Sequence, residues 1–403
     1  MTITLDDLGF LSSDAGERVL SRLADEDLRD ENTLKLITSL RRDLSLTQAG
    51  SALELARLRK KAVSKFGDDA SKLYFTKDAL EQASDPRIRK WRVWSQQDYK
   101  QVIDACCGIG ADSLAFAQAG QEVIGLDIDP LRIEMARLNA QALGLKNVIF
   151  EVADVRQNVP DSDLIFFDPG RRDANGKRIF DVERYEPPLA TIRDWKAKLI
   201  LAKLSPGVDL AQIQAYAGQV DFLSVNGELK EADLRVYPQP TSAWYCAYLI
   251  GDHPQLPLMG QWCHDPALAP LAPISEPRGW LVEPDPAIIR SGQVAGLAIK
   301  LEGAQLDPEI AYITTDEKPN SPWARSWKIN DWMPFNLKKL RAYLREQNVG
   351  TVTVKKRGTA VTPEELIAKL KLNGNGSRTI VLSRCRGDQI VMVCDDLTIE
   401  GGG

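Results

Sequence analysis

The 403-residue sequence contains only two histidines and six cysteines, and no two cysteines form a C-x-x-C pair. This scarcity argues against a zinc site, and the scattered cysteines argue against a disulfide framework. No apolar run reaches the length of a membrane span, and the first residues, MTITLDDLGF, lack the basic start of a secretory signal. The sequence therefore predicts a cytoplasmic protein that binds neither a metal nor a membrane.

The net charge of −5 gives no sign of nucleic acid, but the charges are unevenly distributed. Residues 41–100 carry +6 and residues 335–390 carry +8, whereas residues 101–330 carry −10. Two basic segments beside an acidic centre suit a protein that holds a polyanion at the edges of a catalytic domain. Solvated helix faces that drift in charge would give the same distribution, so both interpretations stay open.

Hydrophobic periodicity divides the chain into four parts. Residues 1–95 have helical spacing, for example in ALELARLRKKAVSKF, and residues 96–252 alternate short apolar runs with helical stretches. That alternation predicts a mostly parallel sheet with helices on both faces. Residues 253–330 form a proline-rich connection with irregular β-type runs such as LAIKL. Residues 331–403 are basic and predict an α+β domain with helices in NLKKLRAYLRE and PEELIAKLKL.

Acidic residues stand where four successive predicted strands end: Asp104, Asp127, Asp154 and Asp168. In open α/β sheets, ligands bind outside the carboxyl ends of the strands. Asp127 follows Gly110 by seventeen residues, where a carboxylate can accept both hydroxyls of a ribose. One such aspartate is often only a helix cap or turn former, but four in order predict a nucleotide-type site.

The first strand leads into a turn with two glycines, Gly108 and Gly110, which allow a ligand to approach the backbone. With Ser113 the motif nearly matches the fingerprint of nicotinamide-dependent oxidoreductases. Asp104, just before the turn, disfavours that class, because a pyrophosphate gains nothing from a nearby negative charge. The same carboxylate suits the cationic amino group of a methionine moiety.

The segments DACCGIGADS, GLDIDPLRIEMARLNAQALG, EVADV and FFDPGRR together resemble class I S-adenosylmethionine-dependent methyltransferases over residues 70–235. The first motif is most similar to that of the RNA cap guanine-N2 (trimethylguanosine synthase) group. VGTVTVKKRG and PEELIAKLKLNGNGSRTIVLSR resemble the C-terminal THUMP-like domain of a bacterial methyltransferase group. The resemblance implies an α/β, Rossmann-like methyltransferase domain with a helical N-terminal region and a THUMP-like domain.

The resemblance also implies roles for individual residues around S-adenosylmethionine. Asp104 and the backbone at Cys106, Gly108 and Gly110 would hold the methionine part, and Asp127 the ribose. It also implies that Ile128, Asp154 and Val155 contact the adenine ring. Thr76, with Phe75 beside it, would close over the cofactor from the N-terminal side.

Asp168-Pro169-Gly170-Arg171-Arg172 departs from the family's amine-methylating pattern, in which two prolines and an aromatic residue follow the polar residue. Asp168 and Pro169 are kept, so an exocyclic amine can still be gripped. Arg171 replaces the aromatic residue, and its planar guanidinium can stack on a base or clamp a phosphate. We expect Asp168, Pro169 and Arg171 to be catalytic and Gly170 and Arg172 to bind substrate.

These observations predict an enzyme that methylates a base in structured RNA, either rRNA or tRNA, with RNA phosphates held by Lys355, Lys356 and Arg357. Three alternatives stay open. An RNA-binding protein could retain the cofactor fold without turnover, a methyltransferase could act on a protein or a small molecule, and an oxidoreductase could bind a nicotinamide cofactor.

Overall fold

A computed structural model of the chain describes residues 3–173, 176–239, 244–253 and 256–396. The chain divides into two compact units. The first unit contains residues 1–223, 230–243 and 250–259, and the second contains residues 224–229, 244–249 and 260–403. None of the helices in the described part of the chain is both long enough and apolar enough to cross a membrane.

The N-terminal region is helical, as the periodicity predicts. Its longest helix is held at its start by a capping box, in which Ser45 and Gln48 satisfy each other's backbone N–H groups. Buried leucines and alanines of these helices form one hydrophobic cluster. The helices are α1 (Leu5–Leu11), α2 (Asp14–Ala24), α3 (Thr33–Leu40), α4 (Leu46–Phe66), α5 (Lys77–Gln82) and α6 (Pro86–Ser95).

A mostly parallel sheet follows, with helices α7 (Ala111–Gln118) and α8 (Pro130–Ala142) between its first strands. Seven strands of this sheet lie in the order β3-β2-β1-β4-β5-β7-β6. The first five are parallel, so their carboxyl ends share one edge, while β7 runs antiparallel to β5. The strands are β1 (Gln101–Ala105), β2 (Glu122–Asp127), β3 (Val148–Val152), β4 (Ser162–Phe167), β5 (Ala197–Leu204), β6 (Gln219–Val225) and β7 (Glu228–Val236).

The polar sequence from Asn226 to Glu231 predicts a turn, but only Asn226 and Gly227 form one. Asn226 and Gly227 make the turn with φ angles of 53° and 76°, and β7 begins at Glu228. Glu231 and Asp233 are buried in that strand, because their charges lie among other buried charges rather than in solvent.

A second sheet has the order β11-β12-β10-β13-β16-β15-β14, and with its helices it confirms the predicted α+β domain. Its middle strand β13 pairs with β10 and with β16, so the predicted boundary at residue 330 falls inside a strand. The elements of the second unit are β8 (Trp244–Ile250), β9 (Leu258–His264), β10 (Trp280–Pro284), α9 (Pro286–Arg290), α10 (Val294–Lys300), β11 (Ala304–Asp307), β12 (Ile310–Thr315), β13 (Ala324–Pro334), α11 (Leu337–Glu346), β14 (Val349–Lys356), α12 (Pro363–Leu370), β15 (Gly376–Cys385) and β16 (Asp388–Cys394).

Two expectations for the second unit are wrong. The run LAIKL falls in helix α10 and its end rather than in a strand, because a short apolar run has no period that separates helix from strand. Cys246 and Cys263 form a disulfide although no cysteine spacing suggested one. They lie on the neighbouring strands β8 and β9, whose pairing brings residues seventeen positions apart together.

Candidate active site

The loop between β1 and α7 takes the backbone conformation that its sequence predicts for a ligand-binding turn. Gly108 and Gly110 have φ angles of 57° and 83°, and Cys106 shares this left-handed region at 69° although it is not a glycine. A Cβ atom on Gly110 would lie 2.9 Å from the ring of Phe150, so no larger residue fits there. A strained, tightly packed loop beside strand ends is typical of a functional site.

Asp127 ties the end of β2 to this loop. Its Oδ2 accepts a hydrogen bond of 2.9 Å from the backbone N–H of Gly108, and its Oδ1 accepts one of 3.0 Å from that of Asp129. The next side chain, Ile128, is 61% exposed although it is apolar. No described atom lies within 4 Å of a Cβ built on Gly108, so the space over the loop is open. A carboxylate, an open glycine turn and an exposed apolar side chain fit a nucleoside with an attached amino-acid part.

Asp104 lies below the same loop and is almost fully buried. Burial, with the negative charge of Asp112 nearby, raises the pKa of Asp104 to about 7, although a 2.5 Å hydrogen bond from the Ser113 hydroxyl acts to lower it. The carboxyl therefore changes its charge near neutral pH.

Of the other predicted cofactor residues, Asp154 and Val155 follow β3 at this edge, and Thr76 lies at the start of α5. Asp154 follows β3, and hydrogen bonds from the Arg156 side chain and backbone lower its pKa. Val155 is buried. Thr76 is the N-cap of α5, where its hydroxyl accepts a hydrogen bond from the Ala79 N–H.

Asp168 follows β4 at the same edge of the sheet, with its side chain 25% exposed. Its Oδ2 lies 2.7 Å from Lys203 Nζ, at the end of β5, and its Oδ1 lies 3.8 Å from an Arg171 nitrogen. Burial alone would raise the pKa of Asp168, but the charges of Lys203 and Arg171 and the hydrogen bond from Lys203 lower it below the ordinary value. The carboxylate is thus held ionised at neutral pH.

The residues after Asp168 are engaged by the protein itself. Pro169 is buried, and Gly170 bridges to the backbone of Glu186. Arg171 donates a 2.8 Å hydrogen bond to the carbonyl of Leu204, so part of its guanidinium is already used. Arg172 is exposed, and it donates to the carbonyl of Gly176.

A buried ion network lies beside the site, and sequence reasoning missed most of it. Arg92 in α6 is fully buried and forms ion pairs with Asp112 of α7 and Glu231 of β7. Its guanidinium also lies 4.3 Å from the centre of the Phe166 ring. One usable signal was present in the strands, because the lysine in LILAKL is a charge in an apolar run, which needs partners when buried.

The predicted RNA-binding residues Lys355, Lys356 and Arg357 lie in the second unit, on β14 and directly after it. Lys355 pairs with Glu283 at 2.5 Å and lies over the Trp327 ring. Arg357 lies 3.8 Å from the same glutamate and over the ring of Tyr312. Lys356 is exposed. Lys355 and Arg357 therefore contact an acidic residue in this structure, and Lys356 points its charge to the surface.

A mostly parallel sheet with a glycine turn and acidic residues at its strand ends is typical of proteins that bind a nucleotide-type cofactor. Residues 96–175 match the family described as a methyltransferase domain, and residues 324–396 match the THUMP domain-like family. Residues 4–62 match a domain of unknown function.

Three similar proteins show how far this likeness extends. An uncharacterized S-adenosylmethionine-dependent methyltransferase of Mycobacterium tuberculosis is 30% identical over 342 residues, 82% of this chain and 92% of that protein. An uncharacterized RNA methyltransferase of Oceanobacillus iheyensis is 41% identical over 78 residues, 18% of this chain and 17% of that protein. A Porphyromonas gingivalis W83 protein of solved structure, provisionally assigned as a methyltransferase, is 19% identical, with a TM-score of 0.75 over 94% of this chain and 97% of that chain, and shows the shared fold.

The chain belongs to the S-adenosylmethionine-dependent methyltransferases, with a THUMP-like domain at its C-terminal end. It is an enzyme of this class, and S-adenosylmethionine is its cofactor. The predicted fold class and cofactor are thereby confirmed. The narrower resemblance to the trimethylguanosine synthase group stays a prediction.

Proposed function

We propose that the protein methylates an exocyclic amine of a base in structured RNA. The observation that carries this proposal is the ionised carboxylate of Asp168. Asp168 directly follows strand β4 and precedes Pro169, at the edge of the sheet that also holds the glycine loop. Such a carboxylate can accept a hydrogen bond from an amine and orient its lone pair. When bound, S-adenosylmethionine supplies an activated methyl group on a sulfonium.

The chemistry of the nearby cysteines supports an amine over a pyrimidine ring carbon. In the described part of the first unit, the free cysteines are Cys106 and Cys107. Burial, with Asp127 nearby for Cys106 and Asp104 nearby for Cys107, raises the pKa of each thiol well above its ordinary value. A protonated thiol is a poor nucleophile for covalent addition to a ring.

RNA as the substrate is supported from outside the site. The THUMP-like segment, residues 324–396, and relatives named RNA methyltransferases both favour it. The basic residues of the same part of the chain suit phosphate contacts. Lys356 and Arg172 are the exposed basic members of the predicted substrate set, and we propose that they contribute such contacts.

The test is transfer of a tritiated methyl group to total rRNA and tRNA, followed by nucleoside digestion and mass spectrometry. We expect a methylated exocyclic amine on one nucleoside. Label on a ring carbon would contradict the choice of atom. RNA binding without transfer would favour a non-catalytic RNA-binding protein, and label only on protein or small molecules would overturn RNA as the substrate.

Asp127→Ala is expected to weaken S-adenosylmethionine binding by about tenfold to a hundredfold, because a hydrogen bond to a charged group contributes about 1.5–3 kcal/mol. In our proposal the carboxylate holds the ribose, and it also orders the loop through Gly108. Isothermal titration measures the affinity. The matched control is Asp129→Ala on the next loop residue but one, whose side chain is 41% exposed. Unchanged affinity in the Asp127 variant would remove this residue from the cofactor site.

We expect S-adenosylmethionine binding to weaken at least tenfold between pH 7.5 and pH 5.5. Asp104, with a pKa of about 7, is ionised at the higher pH and protonated at the lower, and only the ionised form attracts the cofactor's ammonium group. Affinity therefore falls as the pH drops through 7. Titration with 5′-methylthioadenosine, which lacks the amino-acid part, is the control and should show no such dependence. Equal pH dependence for both ligands would assign the effect to another group.

A further inference from the structure

Lys203 is a fully buried lysine at the end of strand β5, beside Asp168. A buried ammonium requires partners, and three surround it. Its Nζ donates to Asp168 Oδ2 at 2.7 Å and to Ser84 Oγ at 2.9 Å, and it lies 3.8 Å from Glu231 Oε2. Although burial acts to lower the pKa of Lys203, Asp168 and Glu231 raise it above its ordinary value. The group is therefore a cation and a hydrogen-bond donor only.

The partners of Lys203 are themselves fixed, so it has no alternative position to take. Ser84 Oγ lies 3.4 Å from Asp112 Oδ2, and Arg92 pairs with both Asp112 and Glu231. The side chains of this network are all buried: Lys203, Ser84, Asp112, Arg92 and Glu231. A network of this kind holds each member in one orientation, because any rotation leaves a buried charge unpaired.

The two oxygens of Asp168 consequently differ. Oδ2 is held by Lys203, whereas Oδ1 lies 3.8 Å from Arg171, beyond hydrogen-bond distance. The side chain is 25% exposed, so one oxygen can still meet a ligand. We infer that Lys203 is a positioning residue that reserves one carboxylate oxygen of Asp168 for the methyl acceptor, and that this restricts the site to acceptors that donate a hydrogen bond. The inference rests on the proposed function, because it assumes that Asp168 meets the acceptor.

This arrangement makes asparagine a poor substitute at position 168. The ammonium of Lys203 would pair with the amide oxygen of asparagine and not with its NH₂ group, because the ammonium and the NH₂ group are both hydrogen-bond donors. The NH₂ group would then face the acceptor amine, donor against donor. Removing the lysine frees the amide to turn, and Arg171, 3.8 Å from the outer oxygen position, then favours the productive orientation.

The experiment is a double-mutant cycle with Asp168→Asn, Lys203→Met and the combination. We expect kcat to fall at least a hundredfold for D168N, at least tenfold for K203M, and to rise at least fivefold when K203M is added to D168N. The matched control is Lys198→Met, because Lys198 lies on the same strand, pairs with Asp163 at 2.7 Å and is 72% exposed. Losses that multiply in the double variant would overturn the inference, because they would show that the two residues act independently.

Two further measurements keep the inference testable if a variant folds poorly or if no RNA accepts a methyl group. Lys203→Arg retains the cation and should keep D168N inactive, in contrast to Lys203→Met. A carbon-13 NMR titration of the Asp168 carboxyl in otherwise native protein and in K203M needs no turnover. We expect its pKa to rise in K203M, and an unchanged pKa would overturn the inference even if RNA methylation is found. A raised pKa without any RNA methylation would instead count against the proposed function alone.

Discussion

Replacing Arg92 with leucine is expected to lower the free energy of unfolding by about 3–5 kcal/mol, the range for breaking a buried ion pair. The guanidinium is fully buried and pairs with Asp112 and Glu231, whose side chains are 10% and 4% exposed. Without it, Asp112 loses its ion pair with Arg92, and Glu231 keeps only the contact with Lys203 at 3.8 Å, both in a poorly solvated position. Urea unfolding measures the loss, and the change should appear in the unfolding midpoint.

Three controls separate the charge from the volume of Arg92. Lys90→Leu lies on the exposed part of the same helix and should change stability by no more than about 0.5 kcal/mol. Arg92→Lys keeps a cation and should lose less than the leucine variant. Neutralising both partners with Asp112→Asn and Glu231→Gln should recover part of the loss in R92L. No recovery would show that packing against Phe166 and not charge explains the effect.

The strand ends of the site could be predicted from the sequence because their signals are local. Each of β1, β2 and β4 is a short, mostly apolar run with an aspartate within one residue of its end, and parallel strands bring those ends to one edge. The left-handed turn at Gly108 and Gly110 is equally local, because glycine is the residue that takes such φ angles without strain. Asp104, Asp127 and Asp168 therefore fall where the pattern places them.

The pairs of the ion network could not be predicted, because the two residues of each pair are distant in sequence. Arg92 and Glu231 are 139 residues apart, and Lys203 and Ser84 are 119 apart. The burial of strand β7 could not be predicted for a related reason. Its charged residues alternate with apolar ones, a pattern that normally means one face in water, yet both faces are buried. Only the fold reveals the ion-pair partners that compensate the cost of burying these charges.

Asp168→Ala is expected to lower kcat for methyl transfer by about a hundredfold to ten-thousandfold, the range for losing a positioned group that contacts the reacting atoms. In our proposal the carboxylate accepts a hydrogen bond from the acceptor amine, and alanine offers no acceptor at that place. The affinity for S-adenosylmethionine should stay within about threefold, because the proposed cofactor contacts lie on β1, β2 and the segment after β3. Single-turnover kinetics with a saturating cofactor measure the step.

The matched control is Asp163→Ala, because Asp163 lies on the same strand β4 and pairs with Lys198 of β5 at 2.7 Å, away from the carboxyl end. It should leave kcat within about twofold. The pH profile gives a second check, since the pKa of Asp168 is lowered while that of Asp104 is about 7. The ionised Asp168 persists well below neutral pH, so kcat should stay level from pH 8 to pH 6, whereas kcat/KM for the cofactor falls through pH 7 as Asp104 gains its proton. A kcat that falls in parallel with kcat/KM would mean that a group of neutral pKa acts on the acceptor, and Asp168 would lose its proposed role.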